Sequence, residues 1–157
     1  MPVDLVAKLK RAQTFNQGYE FTELLAAAEL DMQWHMLPAD APKQSPDVFE
    51  ASALEKVKLA IPAVPPRYRS SYFLHIWGNN YSAGYYAYLW SEMLEDDAFA
   101  WFTEHGGLTR ANGDRFRRMV LSKGNKEDLE TVYEQWRGGK PSIQPLLQRR
   151  GLVAPPK

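Results

Sequence analysis

Between Glu20 and about Met36, the residues Phe21, Leu24, Leu25, Ala28 and Met32 recur at the spacing of one helix face. A helix with so continuous an apolar face has to pack against other elements, and Leu37-Pro38 ends it. The rest of the chain is punctuated for helices too. Val3 to about Ala12 places Leu5, Val6 and Leu9 on one side, and Gly18 marks a break. Ser45 is an N-cap with Pro46 at the first helical position, and that helix runs to about Leu59. Ile61 to Phe73 holds Pro62, Pro65 and Pro66 and reads as extended and irregular, with a brief strand over Tyr68 to Ile76. Trp77 to Asn80 reads as a turn. A helix from about Asn80 ends at Gly106-Gly107. Thr109 caps a helix to about Leu121. Gly124 stops it, and Asn125 caps the next, which runs to Trp136. Gly138-Gly139 breaks that helix, and Ser142 caps a last short one to about Arg149. Val153 to Lys157 reads as a disordered tail. Nothing points to a parallel sheet or an internal repeat. The expected class is all-α, a compact helical bundle, with residues 1–157 forming a single helical domain or a fragment of one.

Composition narrows the function classes. The 157 residues are one domain's length, 45% hydrophobic and 24% charged, as in ordinary soluble chains. Nineteen Lys and Arg balance nineteen Asp and Glu, so no basic footprint points to nucleic acid or an anionic membrane. The absence of cysteine excludes a disulfide scaffold and a thiol nucleophile, and it is compatible with a cytoplasmic protein. The start, Met-Pro-Val-Asp-Leu-Val-Ala-Lys, carries no signal-peptide core. No apolar run approaches the roughly 20 residues that span a bilayer, so no membrane partner is expected.

The segment His75-Ile-Trp-Gly-Asn-Asn-Tyr81-Ser-Ala-Gly-Tyr85-Tyr-Ala-Tyr88-Leu-Trp90 packs one histidine and four tyrosines into fourteen residues. Read as a helix, it lines one face with Tyr81, Tyr85 and Tyr88 and leaves Tyr86, Leu89, Trp90 and Met93 as core on another. Phenols donate hydrogen bonds at neutral pH, so such a row beside a histidine can stabilise a developing oxyanion. An aromatic stripe of this kind is also the ordinary signature of a packed core, and the pattern by itself does not choose between the two.

The wording of the chain does more. This segment, with Pro65-Pro-Arg-Tyr-Arg-Ser-Ser-Tyr-Phe73 before it and Gly106-Gly-Leu-Thr-Arg110, Ser122-Lys-Gly-Asn125, Tyr133-Glu-Gln-Trp-Arg-Gly138 and Leu146-Leu-Gln-Arg-Arg-Gly-Leu152 after it, resembles the C-terminal region of the zinc metallopeptidases related to thimet oligopeptidase. Phe15-Asn-Gln-Gly-Tyr19 and Leu30-Asp-Met-Gln-Trp-His35 extend the resemblance to nearly the whole chain. Within that family the bacterial peptidyl-dipeptidases are the most similar. The resemblance implies an all-α wall of a deep cleft, short peptides as substrates and zinc as the cofactor of the full-length enzymes. These bind zinc through a His-Glu-x-x-His helix and a later glutamate, which lie upstream of the region seen here. This chain has neither, and its histidines, His35, His75 and His105, are never four apart. No metal is therefore expected to bind it specifically.

By the same resemblance His75 contacts the scissile region, and Tyr81 and Tyr88 reach the substrate and the developing oxyanion. Removal of one such donor typically costs about 3 kcal/mol of transition-state binding. Tyr85 matches a cleft-facing tyrosine. Gly78, Asn79 and Asn80 stand where the family has a run of glycines before the first tyrosine; two asparagines there bring side chains into space the family keeps open. Arg67 and Arg69 could hold a substrate's C-terminal carboxylate, or they are structural arginines. His35 and His105 read as structural, and Glu95-Asp96-Asp97 as a solvated helix face. The expected function is the substrate-binding portion of a peptidase that releases dipeptides, inert alone. The alternative is a stand-alone peptide-binding or interaction module. The surface left by an absent zinc-bearing part is expected to promote self-association.

Overall fold

A computed structural model describes residues 1–153. These form eight α-helices, two short 3-10 turns and no strand, so the protein is all-α. The helices are α1 (Val3–Ala12), α2 (Gln17–His35), α3 (Pro46–Lys56), α4 (Leu74–Gly78), α5 (Ala87–Glu104), α6 (Arg110–Met119), α7 (Leu129–Arg137) and α8 (Gln144–Arg149). Two compact units divide the chain, the first ending at Trp90 and the second starting at Ser91 within α5. None of the helices in the described residues is long and apolar enough to cross a membrane.

In the first unit α2 works on two adjacent faces. Ala26 and Leu30 pack with Phe49, Ala53 and Leu54 of α3. Ala27 and Ala28 pack with Phe73, Ile76 and Tyr85. Small side chains on α2 let the irregular segment after residue 66 approach closely, and Trp34 contributes to both clusters. α1, by contrast, buries none of its residues.

The second unit closes around Trp136 of α7, which is fully buried. Its ring lies 4.8 Å from Trp101, 4.8 Å from Phe116, 5.6 Å from Tyr133 and 6.0 Å from Phe102. Arg115 donates to the Trp136 carbonyl at 2.8 Å and sets its guanidinium 5.5 Å from the Trp101 ring.

Several helix ends agree with the sequence reading. The Ser45 side chain accepts from the Val48 N–H, and that of Thr109 from the Asn112 N–H. Gly106, Gly107 and Gly138 all sit at φ +87, the left-handed conformation that ends a helix. Other expectations fail. α3 stops at Lys56 rather than near Leu59. Asp128, not Asn125, caps α7, accepting from the Thr131 N–H. α8 starts after Ile143, one residue past Ser142, whose hydroxyl accepts from the Gln144 N–H at 3.2 Å. Tyr68 to Ile76 forms a 3-10 turn (Ser70–Tyr72) and the start of α4, not a strand, and Trp77 and Gly78 belong to α4.

Asp96 and Asp97 are buried rather than solvated, because arginines far along the chain meet them. Arg137 lies 3.1 Å from Asp97, and Arg149 lies 2.5 Å from Asp96. Of the expected disordered tail, residues 154–157 lie outside the described residues.

Candidate functional site

The largest departure from the sequence reading falls on the tyrosine segment. No helix starts at Asn80. Residues 81–86 form a series of turns, and α5 begins only at Ala87. The turn is held by Tyr81 N–H to the His75 carbonyl at 3.2 Å, Gly84 N–H to the Tyr81 carbonyl at 2.8 Å, and the Ser82 hydroxyl to the Ile76 carbonyl at 2.6 Å. Asn80 (φ 63) and Ala83 (φ 54) both take the left-handed backbone. Asparagine tolerates that region well; alanine does so poorly.

The turn rearranges the rings. Tyr85 is 4% exposed and Tyr86 is 51% exposed, the reverse of the packing expected for Tyr86. Trp90, expected in the core, is 56% exposed. The expected gathering of Tyr81, Tyr85 and Tyr88 around His75 is nevertheless present. The His75 ring lies 5.4 Å from Tyr85, 6.0 Å from Tyr81 and 6.2 Å from Tyr88. Tyr81 and Tyr88 stack at 5.1 Å with their planes 18° apart. Tyr88 also lies 5.0 Å from Tyr85. A fifth ring, Tyr68, stands 4.9 Å from His75 and stacks on Phe73 at 5.1 Å. Tyr85 is the floor of this box; His75 and Tyr81 are half-buried, and Tyr88 is exposed.

Burial and the neighbouring Tyr68 push the Tyr85 phenol up to about 12, against a small opposing pull from the Arg67 charge. A side-chain hydrogen bond with Tyr81 raises the Tyr88 phenol. Both are therefore neutral donors at physiological pH.

Three residues that sequence reasoning missed hold the box in place. Asp31, on α2 and wholly buried, accepts from the Ala83 N–H through Oδ1 and from the Tyr85 N–H through Oδ2, both at 2.9 Å. His35 Nδ1 lies 2.8 Å from the same Oδ1. Ser70 ties the start of the histidine segment to α2 and α3. Its hydroxyl accepts from Trp34 Nε1 at 2.9 Å and donates to Glu50 Oε2 at 3.0 Å. Its N–H donates to the same Glu50 oxygen at 2.8 Å, and its carbonyl accepts from Trp77 Nε1 at 2.8 Å. Tyr68, the third, is the ring against His75. A signal existed for Asp31. It stands four residues after Ala27 on an apolar helix face, where an ionised side chain needs buried partners.

The other predicted residues occupy the rim or lie apart. Gly78, Asn79 and Asn80 are exposed between His75 and Tyr81. Arg67 pairs with Glu23 at 2.8 Å, and that hydrogen bond raises its pKa further. Arg69 pairs with the buried Glu50. His105 stacks on Trp101 at 4.1 Å, with Nδ1 2.7 Å from the Trp101 carbonyl, as a structural residue would.

The sequence profile of Peptidase family M3 matches residues 1–152. The chain belongs to peptidase family M3. Over 152 residues it is 59% identical to the dipeptidyl carboxypeptidase of Salmonella typhimurium and 58% identical to that of Escherichia coli. Those matches cover 97% of this chain and 22% of each relative. The organellar oligopeptidase A of Arabidopsis thaliana is 32% identical over 159 residues, covering 98% of this chain and 20% of the relative. The chain thus spans about a fifth of the length of these M3 relatives.

The M3 zinc does not fit the residues present here. His35 and His105 each lie against a carbonyl of their own helix, and His75 stands among aromatic rings. Among the described residues, no three His, Cys, Asp or Glu side chains come together in a way that could hold a metal.

Proposed function

We propose that the His75 box is the substrate-binding wall of a peptidase that releases dipeptides from the C-termini of short peptides. The observation that carries this reading is the convergence of His75, Tyr68, Tyr81, Tyr85 and Tyr88, with a buried floor and an open outer side. The likeness to bacterial dipeptidyl carboxypeptidases supports the substrate class.

An imidazole N–H and the Tyr81 and Tyr88 hydroxyls can donate to a peptide carbonyl oxygen as it gains negative charge. Donors fixed in place before the reaction need no reorganisation when that charge develops. Tyr85, being buried, supports the neighbouring rings instead of meeting solvent. Asn79 and Asn80 offer exposed amides to the peptide backbone at the rim. Arg67 and Arg69 already face Glu23 and Glu50, so a substrate carboxylate would have to displace one of those partners. Since the zinc of the family finds no ligand set in this chain, the chain by itself binds short peptides without cleaving them.

A chimera tests the reading. This chain would replace the matching segment of the Escherichia coli dipeptidyl carboxypeptidase. The chimera should release dipeptides, and Tyr81→Phe or Tyr88→Phe should lower its kcat about a hundredfold. An unchanged kcat in both variants would overturn the catalytic assignment. The isolated chain, supplied with zinc, should release no dipeptide, and measurable release would overturn its inertness. An inactive chimera together with peptide binding by the chain alone would favour the binding-module alternative.

A further inference from the structure

The turn that presents Tyr81 and Tyr85 lacks the repeating bonds of a helix, and its Ala83, like Asn80 just before it, lies in the left-handed region. A turn of this kind keeps one shape only if something outside it overrides the local preference. Asp31 is placed to do so. Its two oxygens take the N–H groups of Ala83 and Tyr85, on either side of Gly84, each at 2.9 Å. The carboxylate is wholly buried, so no water competes for those lone pairs. Bonds to an ionised acceptor are also stronger than neutral ones.

We infer that Asp31 is a positioning residue of the candidate site: it sets the path of the Tyr81–Tyr86 turn and thereby the placement of the Tyr81 ring. This inference rests on the peptide-binding reading above. The chain of action is specific. Ala83 stays left-handed because its N–H is claimed. Tyr85 points into the core because its own N–H is claimed by the second oxygen. Tyr81, bonded to Gly84 across the turn at 2.8 Å, then stacks on Tyr88. Asp31 acts on the rings through the backbone.

Two measurements on the full chain test it. In the unmodified chain, the Ala83 and Tyr85 amides should exchange with solvent at least about a hundredfold more slowly than those of Ser82 and Tyr86 in the same turn. Equal rates would overturn the grip, and this arm needs no variant to fold. The second arm is a binding cycle with N-acetyl-tetra-alanine as the probe. Asp31→Asn, which turns a donor toward one of the two amides, should weaken the probe's affinity about tenfold. Tyr81→Phe should weaken it comparably, and the double variant should be no weaker than Tyr81→Phe alone. A purely structural role would make the two losses add, and additivity would overturn the inference. If Tyr81→Phe leaves affinity unchanged while the two amides stay protected, the peptide-binding reading fails and the positioning role falls with it. Equal amide rates with a Tyr81→Phe loss intact would instead remove Asp31 alone.

Discussion

The two units of the chain both bury carboxylates, and they use them differently. In the first unit Asp31 and Glu50, beside their contacts with His35 and Arg69, accept from backbone N–H groups of Ala83, Tyr85 and Ser70, all in irregular segments. In the second, Asp96 and Asp97 meet the side chains of Arg149, Arg137 and Tyr133, all on helices. A carboxylate bonded to backbone N–H fixes where the chain itself runs. A carboxylate bonded to a guanidinium fixes one helix against another and leaves each helix free to exist without it. The candidate site is built on the first kind, which is why its rings can converge from a stretch with little regular structure.

The difference predicts what each unit tolerates. Arg137→Ala removes the guanidinium beside a carboxylate that is almost wholly buried, and should destabilise the second unit by roughly 3–5 kcal/mol, read as a shift in its denaturation midpoint. The double replacement Asp97→Leu with Arg137→Met should recover most of that loss, since a buried ion pair can be exchanged for well-packed apolar groups. No such exchange exists for Asp31, which besides His35 holds two main-chain N–H groups that no substitution removes. A double variant as unstable as Arg137→Ala would break the comparison.

A smaller effect separates the units in alkali. Burial and Tyr68 raise Tyr85, and burial and the Asp97 hydrogen bond raise Tyr133. A raised phenol is protonated in the folded chain while the unfolded chain has already released the proton. The stability it contributes is therefore complete below about pH 10 and is lost as pH rises. With Tyr85 near 12, the first unit should lose up to roughly 2–3 kcal/mol between pH 10 and pH 12. Denaturation midpoints along a pH series check this, and Tyr85→Phe should flatten the first unit's share while leaving Tyr133's contribution in place.

The smallest prediction concerns backbone strain away from the carboxylates. Lys58 closes α3 at φ 61, with the Leu59 N–H reaching back to the Leu54 carbonyl at 2.8 Å. Its side chain is exposed, and no buried acceptor holds it there. Lys58→Gly should raise the melting temperature, through a gain of about 0.5–1 kcal/mol. Ala83→Gly, where Asp31 already enforces the same conformation, should relax the turn to a similar degree. A loss of stability at Lys58 would show that the left-handed residue there is not strained.

What the sequence conveyed follows the same division. Helix content, the Ser45 and Thr109 caps and the stops at Gly106-Gly107 and Gly138 depend on neighbours within a few residues, and these features agree with the structure; Gly18, however, lies inside α2, and of the expected apolar face Phe21, Leu24, Leu25, Ala28 and Met32 only Ala28 is buried. The family resemblance brought His75, Tyr81, Tyr85 and Tyr88 into one group, and the rings do gather. Their mode of gathering was not legible. Tyr81 to Ala87 has no residue that forbids a helix, and the turn exists because Asp31, 52 residues earlier, claims the Ala83 N–H. The exchange of Tyr85 and Tyr86 between core and solvent follows from the companion contact, in which the same carboxylate takes the Tyr85 N–H. Asp96 and Asp97 were misread for a similar reason: their partners stand 53 and 40 residues away, and no local pattern ties them together.

The length of the Asp31 contacts also implies an order of assembly. They close loops of 52 and 54 residues, whereas Glu50 reaches Ser70 across only 20. The entropy of closing a loop grows with the logarithm of its length, so the longer closure carries an extra penalty of about 0.8 kcal/mol. The expected route joins α2 to α3, then docks Ser70 on Glu50, and draws the tyrosine turn onto α2 last. Pulse labelling during refolding would show it, with the Ser70 amide gaining protection before those of Ala83 and Tyr85. On that route the aromatic box is the final product of folding, and a chain that has begun to unfold loses its site before it loses its helices.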